Sequence, residues 1–302
     1  MIDHPDHFGG IGPPHSDLDR AKVVVLPVPY DRTATYGKGA ARGPAALVAA
    51  SCNLELYDEE LGTDTFAEGI HTAPSVCGNE TPPEEMVRLV EQAAGRHLDA
   101  GKLVVTLGGE HSISFGAIAA YRRRHPRLTV VQLDAHGDLR ESYEGSRYNH
   151  ACVMRRVREI CPTLAIGIRS LSREEADYLS ESPSPMISGQ RVAAGREWFD
   201  EALAAAGEEV YVTIDVDYFD PALVPGTGTP EPGGADWYTT LAFLRALSRR
   251  RKVLGFDIVE LAPIPGQPAS DFLAAKLLYR MLGYALFEGR DGRRGAPEPI
   301  LR

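Results

Sequence analysis

Short apolar runs recur along the chain, and helical periodicity separates them. The runs are Val23–Val28, Lys102–Leu107, Leu128–Leu133, Thr163–Ile168, Glu209–Ile214 and Lys252–Val259. They are rich in β-branched residues, as buried strands are. Between them lie helix-like stretches: Pro44–Ala50, Pro82–Leu98, Ile113–Arg124, Ala151–Ile160, Arg173–Leu179, Trp198–Ala206, Thr239–Leu247 and Asp271–Phe287. In Pro82–Leu98, Met86, Leu89, Val90, Ala93 and Ala94 share one face. Strand–helix alternation of this kind leaves few solutions. The expected one is an α/β fold whose mostly parallel central sheet is covered by helices on both faces. No linker or repeat divides the 302 residues, so one domain is expected over 1–302, with an irregular N-terminal arm (1–20) and a loose polar C-terminal tail (289–302).

The ends of the strands carry the chemistry. Leu128–Leu133 runs directly into Asp134-Ala135-His136-Gly137-Asp138. In extended chain, residues i, i+2 and i+4 point to one side, so two carboxylates and an imidazole converge there. Packed so closely, they call for a cation between them. His111 follows a second strand in Gly108-Gly109-Glu110-His111-Ser112, and Asp215 and Asp217 end a third. Open parallel sheets bind ligands outside the carboxyl ends of their strands, so the clusters are expected to meet in one crevice. Four aspartates and two histidines exceed what a tetrahedral zinc needs, and they include no thiolate. A carboxylate-rich set with some imidazole suits a divalent ion such as Mn²⁺, and six ligands with bridging carboxylates suit a pair of ions. The residues alone thus point to a binuclear metallohydrolase.

Composition narrows the partners. A net charge of -10 argues against a nucleic-acid backbone binder and is compatible with a cationic ligand. The basic runs Arg122–Arg124 and Arg249–Lys252 fall at helix ends, where cations suit the helix dipole. Cys52, Cys77, Cys152 and Cys161 form no CxxC pair and read as reduced thiols. No apolar run approaches the ~20 residues needed to span a bilayer. The first residues resemble no secretory leader, so a cytoplasmic location without membrane contact is expected. His4, His7 and His15 read as solvated, and the acidic stretch from Asn53 to Gly69 as a solvated loop or a negative rim.

Three motifs carry a family resemblance. Gly108-Gly109-Glu110-His111-Ser112, Asp134-Ala135-His136-x-Asp138 and Ile214-Asp215-Val216-Asp217-x-x-Asp220-Pro221 resemble the signatures of the arginase/agmatinase (ureohydrolase) family. The loop Gly226–Gly234 resembles the family's loop after the third signature, and the likeness runs from about Val23 to Leu286. The resemblance implies a three-layer α/β/α sandwich of arginase type with two Mn²⁺ ions per subunit. Carried over, His111 and Asp138 hold one ion, His136 and Asp217 the other, and Asp134 and Asp215 bridge them. A bridging hydroxide then attacks a guanidinium carbon, and Asp138 relays its proton. His150 matches the family's loop histidine, and Glu260 the carboxylate that pairs with the guanidinium.

The resemblance further implies a homo-oligomer, a trimer or hexamer, and a small cationic guanidino substrate. Arginases carry an Asn/Thr/Ser-rich stretch after the second aspartate of the middle motif. Here Leu139–Glu144 stands in its place, and Glu141 and Glu144 suit a second amine. Agmatine, yielding putrescine and urea in polyamine metabolism, is the expected substrate. N1-aminopropylagmatine, guanidinobutyrate, formiminoglutamate and arginine are the alternatives, followed by a non-catalytic polyamine-binding role or a binuclear phosphoesterase. After Glu260, the segment Leu261–Gly266 lacks the aspartate many members carry there, and a different loop is expected.

Overall fold

The computed structural model of the protein describes residues 4–76 and 78–288. Cys77 and the C-terminal stretch expected to be loose, 289–302, lie outside them. Among the described residues, eight strands form one sheet: β1 (Val23–Val28), β2 (Ile70–Thr72), β3 (Leu103–Gly108), β4 (Leu128–Leu133), β5 (Thr163–Ile168), β6 (Met186–Ser188), β7 (Glu209–Asp215) and β8 (Lys252–Val259). Their spatial order is β2-β1-β3-β8-β7-β4-β5-β6, and every neighbouring pair is parallel.

Side-chain alternation separates the two faces. Val23 and Val25 of β1 point into one apolar cluster, and Val24 and Leu26 into the other. Helices α1 (Gly43–Ser51), α6 (Gly189–Ala194), α7 (Phe199–Ala205), α8 (Trp237–Arg250) and α9 (Ala269–Gly283) contribute to the first cluster. Helices α2 (Pro83–Asp99), α3 (Ser114–Arg124), α4 (Val153–Arg158) and α5 (Arg173–Glu181) cover the second. This is the three-layer α/β/α sandwich expected.

Local signals set the boundaries. Proline in the first turn opens α1 and α2, where its missing N–H costs nothing. A Ser172/Glu175 capping box opens α5, and Asp236 caps α8. The strand β6, three residues preceded by Ser184 and Pro185, carries no usable periodicity and is absent from the sequence-based expectation. The N-terminal segment lies against the body: Phe8 is buried and stacks on Tyr279, with ring centroids 6.4 Å apart.

Three acids of the stretch before β2 are paired inside the fold rather than solvated, and none of its acids lines the cavity at the strand ends. Asp58 is fully buried and pairs with the buried Arg280, which also meets Glu59. Glu60 pairs with Arg245 at 2.7 Å. These acids anchor α8 and α9 and lie away from the strand ends that carry the histidines.

Chain order places the functional edge. The chain lays down β1 to β3, crosses to β4 to β6, and returns to insert β7 and β8 between them. The carboxyl ends of β3, β8, β7 and β4 therefore lie side by side at a topological switch point, where α/β sheets open a crevice.

Candidate metal centre and active-site cavity

His111 opens a 3-10 turn just after β3, and its ring is buried. Its Nδ1 faces three carboxylates: Asp134 Oδ2 and Asp138 Oδ2 at 3.1 Å each, and Asp215 Oδ2 at 3.5 Å. Its Nε2 lies 2.8 Å from Thr213 Oγ1, which donates to Asp257 Oδ1 at 2.7 Å. With its proton given to Asp257, Thr213 accepts the Nε2–H of His111. That leaves Nδ1 aimed at the three carboxylates with no well-formed protein hydrogen bond, so a metal ion that displaces its proton would meet its lone pair.

The second group forms around His136. Its Nδ1 is 2.8 Å from Asp217 Oδ2 and 3.8 Å from Asp134 Oδ1. Two sets of side chains have ligand atoms close enough to share an ion: His111, Asp134 and Asp215, and Asp134, His136 and Asp217. Asp134 belongs to both, the position expected of a bridging carboxylate. Asp215 falls only in the first set, and Asp138 joins it through its contact with His111.

Neighbouring groups fix the carboxylates. Gln132 Nε2 donates to Asp134 Oδ2 at 2.8 Å, and the Asp217 N–H donates to Asp215 Oδ1 at 2.9 Å. The Ala135 N–H donates to Asp217 Oδ1 at 3.0 Å. Asp138 and Glu260 both have positive φ, 53° and 63°. Non-glycine residues adopt this conformation at a cost, which clusters at functional sites.

Electrostatics supply the fit test for a metal. Burial and the charges of Asp217 and Asp138 push Asp134 up to about 7. Burial and Asp217 likewise raise Asp215. Burial opposes charge on His136, but its hydrogen bond to Asp217 prevails and lifts the ring to about 11. A protein-only site thus holds its anions together by retaining protons. Divalent cations would remove the repulsion and displace those protons. The free Nδ1 and the oxygen-rich donor set fit such ions.

A cavity of about 170 Å³ opens above the two groups. Its lining includes His136, Asp138, Asp215, Asp217, His150 and Glu260, so the expected catalytic residues share one space with the metal-ligand set. Glu260 Oε1 accepts the His111 N–H at 2.6 Å. Burial and the neighbouring Glu110 push Glu260 well above the usual carboxylate range.

Other placements differ from the sequence reading. Glu141 is not available to a substrate amine: Arg147, Arg155 and Arg156 pair with it at 2.7, 3.3 and 2.8 Å. Neither Glu141 nor Glu144 lines the cavity. Glu231 approaches the site, with Oε1 3.6 Å from His136 Nε2. The sequence reading missed Thr213, Asp257 and Gln132. The available signal was a polar residue inside each otherwise apolar strand.

Two ligand groups sharing one carboxylate at the carboxyl edge of a parallel sheet are an arrangement of binuclear metal hydrolases. A model of the arginase family matches residues 21–283. The chain is 46% identical to an N(1)-aminopropylagmatine ureohydrolase of Synechocystis over 87% of this chain and 89% of that one. It is 37% identical to an agmatinase of Pyrococcus horikoshii, over 89% and 94%. The crystal structure of the agmatine ureohydrolase of Thermoplasma volcanium superposes with a TM-score of 0.81 at 34% identity, covering 89% of this chain and 91% of that one. The chain belongs to the arginase family. It is a hydrolase of guanidino compounds, from a family of binuclear metal enzymes. Among the described residues no helix is long and apolar enough to cross a membrane.

Proposed function

We propose that this protein is a Mn²⁺-dependent amidinohydrolase that releases urea from agmatine or from its N1-aminopropyl derivative. The observation that carries the reading is the sharing of Asp134 between two ligand groups, with Glu260 lining the same cavity. His111 and Asp138 would hold one ion, His136 and Asp217 the other, with Asp134 and Asp215 as bridges. Oxygen-rich ligands with some imidazole suit Mn²⁺. The bound ions would supply an activated water near neutral pH and Lewis-acid stabilisation of developing charge.

The protein's own groups do the rest. Burial and Glu110 raise the Glu260 carboxyl, and the positive charge of bound ions and of a guanidinium would draw off its proton and make it the anion that faces the substrate. One of its oxygens is occupied by the His111 N–H, and the other is free to accept from a guanidinium. Glu175 also lines the cavity, but its oxygens take the N–H groups of Leu139 and Ser172. Hydrolysis adds water across the guanidinium carbon and breaks its bond to the alkyl nitrogen. The amine leaves once it is protonated, giving urea and, from agmatine, putrescine. Asp138 and His150 are the cavity groups suited to pass that proton.

The aminopropylated substrate is the reading favoured by the 46%- and 38%-identical relatives, both named for it. The mouth of the cavity suits a second ammonium through the exposed ring of Tyr36 rather than through Glu141. A cytoplasmic homo-oligomer, trimeric or hexameric, completes the reading. Cys52, Cys152 and Cys161 carry free thiols, which suits a reducing compartment.

Mn²⁺-loaded protein is to be assayed for urea release from agmatine, N1-aminopropylagmatine, guanidinobutyrate and arginine. The two amines should be turned over with the highest kcat/KM. A preference for arginine or guanidinobutyrate overturns the substrate assignment.

A further inference from the structure

Thr33 lies in the loop between β1 and α1. The loop is drawn onto the end of β3. The Glu110 N–H donates to the Tyr30 carbonyl at 2.7 Å, and a Cβ on Gly109 would stand 2.0 Å from that oxygen, so only glycine allows the approach. This sets Thr33 against Glu110, whose carboxylate is fully buried and is not among the proposed metal ligands. Glu110 Oε2 accepts the Thr33 N–H and Oε1 accepts the Thr33 hydroxyl, both at 2.6 Å. The Ser112 hydroxyl also donates to Oε1. On its other side, Thr33 Oγ1 lies 3.0 Å from the His150 N–H and 3.2 Å from His150 Nδ1.

The geometry points to Thr33 and Glu110 as positioning residues that fix the ring tautomer of His150, leaving its Nε2 lone pair to the cavity. The inference rests on the proposed amidinohydrolase reading and deepens it. Burial raises the Glu110 carboxyl to about 7, but three donors converge on it, the Thr33 N–H, the Thr33 hydroxyl and the Ser112 hydroxyl, and occupy both oxygens as acceptors, so the Thr33 proton is committed to Glu110. Both remaining lone-pair positions of Oγ1 then face His150 and accept its N–H and its Nδ1–H. Burial holds this imidazole below its usual range, so the neutral ring carries one proton. With that proton on Nδ1, Nε2 is a bare acceptor. Among the described residues Nε2 has no hydrogen-bond partner, and His150 lines the cavity. It can therefore take a proton or an N–H from the substrate.

Three variants and one spectrum test this. Thr33→Val removes the acceptor. It should lower kcat about 10–100-fold, the usual cost of losing an outer partner that orients a functional histidine. KM should change less than about threefold, with metal content unchanged. Thr33→Ser keeps the hydroxyl and should restore kcat to within about threefold. Glu110→Gln should act like Thr33→Val by reversing the relay. The amide oxygen must take the Thr33 N–H, so its NH₂ donates to Oγ1. The Thr33 proton then turns to His150 Nδ1, forcing the proton onto Nε2.

Metal content, measured on each variant, separates this effect from damage at the neighbouring His111. A metal-replete Thr33→Val or Glu110→Gln protein with wild-type kcat overturns the inference, as does a Thr33→Ser protein as slow as Thr33→Val. If a variant does not fold, ¹⁵N-histidine NMR of the wild type decides, with His150 assigned by its loss in His150→Asn. A protonated Nδ1 with a bare Nε2 is expected, and a protonated Nε2 overturns the inference. Wild-type protein that releases no urea refutes the functional reading instead, and the same spectrum still decides the tautomer.

Discussion

Replacing Asp257 by Asn tests how the fold holds the first metal position. Asp257 touches no ion itself. It accepts from Thr213 at 2.7 Å and from the Tyr211 hydroxyl at 2.8 Å, and Thr213 in turn accepts from His111 Nε2 at 2.8 Å. All four side chains are buried. The amide that replaces the carboxylate can keep its carbonyl toward Thr213, so the His111 tautomer survives, but the negative charge behind the histidine is lost. Outer partners of this kind are worth about 10–100-fold in metal affinity, or about 1.4–2.8 kcal/mol. Hydrogen bonds to charged groups, at about 1.5–3 kcal/mol, give the same range.

The loss should be confined to one ion. His136 has no contact with this relay, so its ion should bind as in the wild type. Mn²⁺ titration in a chelator-buffered series, followed by electron paramagnetic resonance and by metal analysis after dialysis, resolves the two affinities. One affinity should fall about 10–100-fold while the other stays within about twofold. Two wild-type affinities in a folded Asp257→Asn protein would refute the relay, and equal loss at both sites would refute its confinement to His111.

Glu260→Gln should cost about 1.5–3 kcal/mol of transition-state binding for cationic guanidines, a fall in kcat/KM of about 10–150-fold, at unchanged metal content; steady-state kinetics that match the wild type would remove Glu260 from guanidinium recognition. Metal uptake should release protons. His136, raised to about 11, and His111, raised well above its usual value by its three aspartate partners against the cost of burial, are protonated in the metal-free protein at neutral pH, as is part of Asp134 at about 7. Ions bind the deprotonated forms, so Mn²⁺ affinity should rise with pH across about 6 to 8, and calorimetry in buffers of different ionisation heat should detect the protons; binding that is independent of pH and buffer would contradict this. Arg280→Met strands the buried Asp58 and should lower unfolding free energy by about 3–5 kcal/mol in urea titrations, whereas a loss below about 1 kcal/mol would show that the pair does not anchor α9.

The strand-end clusters were legible because chemistry and periodicity coincide there. Asp134, His136 and Asp138 follow an apolar run at alternating positions, so strand periodicity pointed to their convergence, although β4 ends at Leu133 and Asp138 reaches the site through a positive φ. The His111 relay was not legible. Asp257 sits inside β8, and only insertion of β8 between β3 and β7 makes it a neighbour of Thr213 and of the turn that carries His111. Thr33 escaped for the same reason, being 77 residues from Glu110 and 117 from His150. The acidic stretch around Asp58 misled because its partner Arg280 is 222 residues away. Glu141 misled because composition cannot show that Arg147 and the arginines of α4 fold back onto it. Local pattern thus located the candidate ligands, whereas packing of distant segments decided which carboxylates remain free for a substrate.

The most direct test of the account is urea release by the Mn²⁺-loaded protein, with Asp134→Asn measured beside it. The wild type should turn over agmatine or N1-aminopropylagmatine, with activity lost on chelation and restored by Mn²⁺. Asp134→Asn should lose activity together with tight binding of both ions, because that carboxylate belongs to both ligand groups. A wild type that releases urea from no guanidino compound, or an Asp134→Asn protein with full activity and both ions retained, would contradict the binuclear centre on which the account stands.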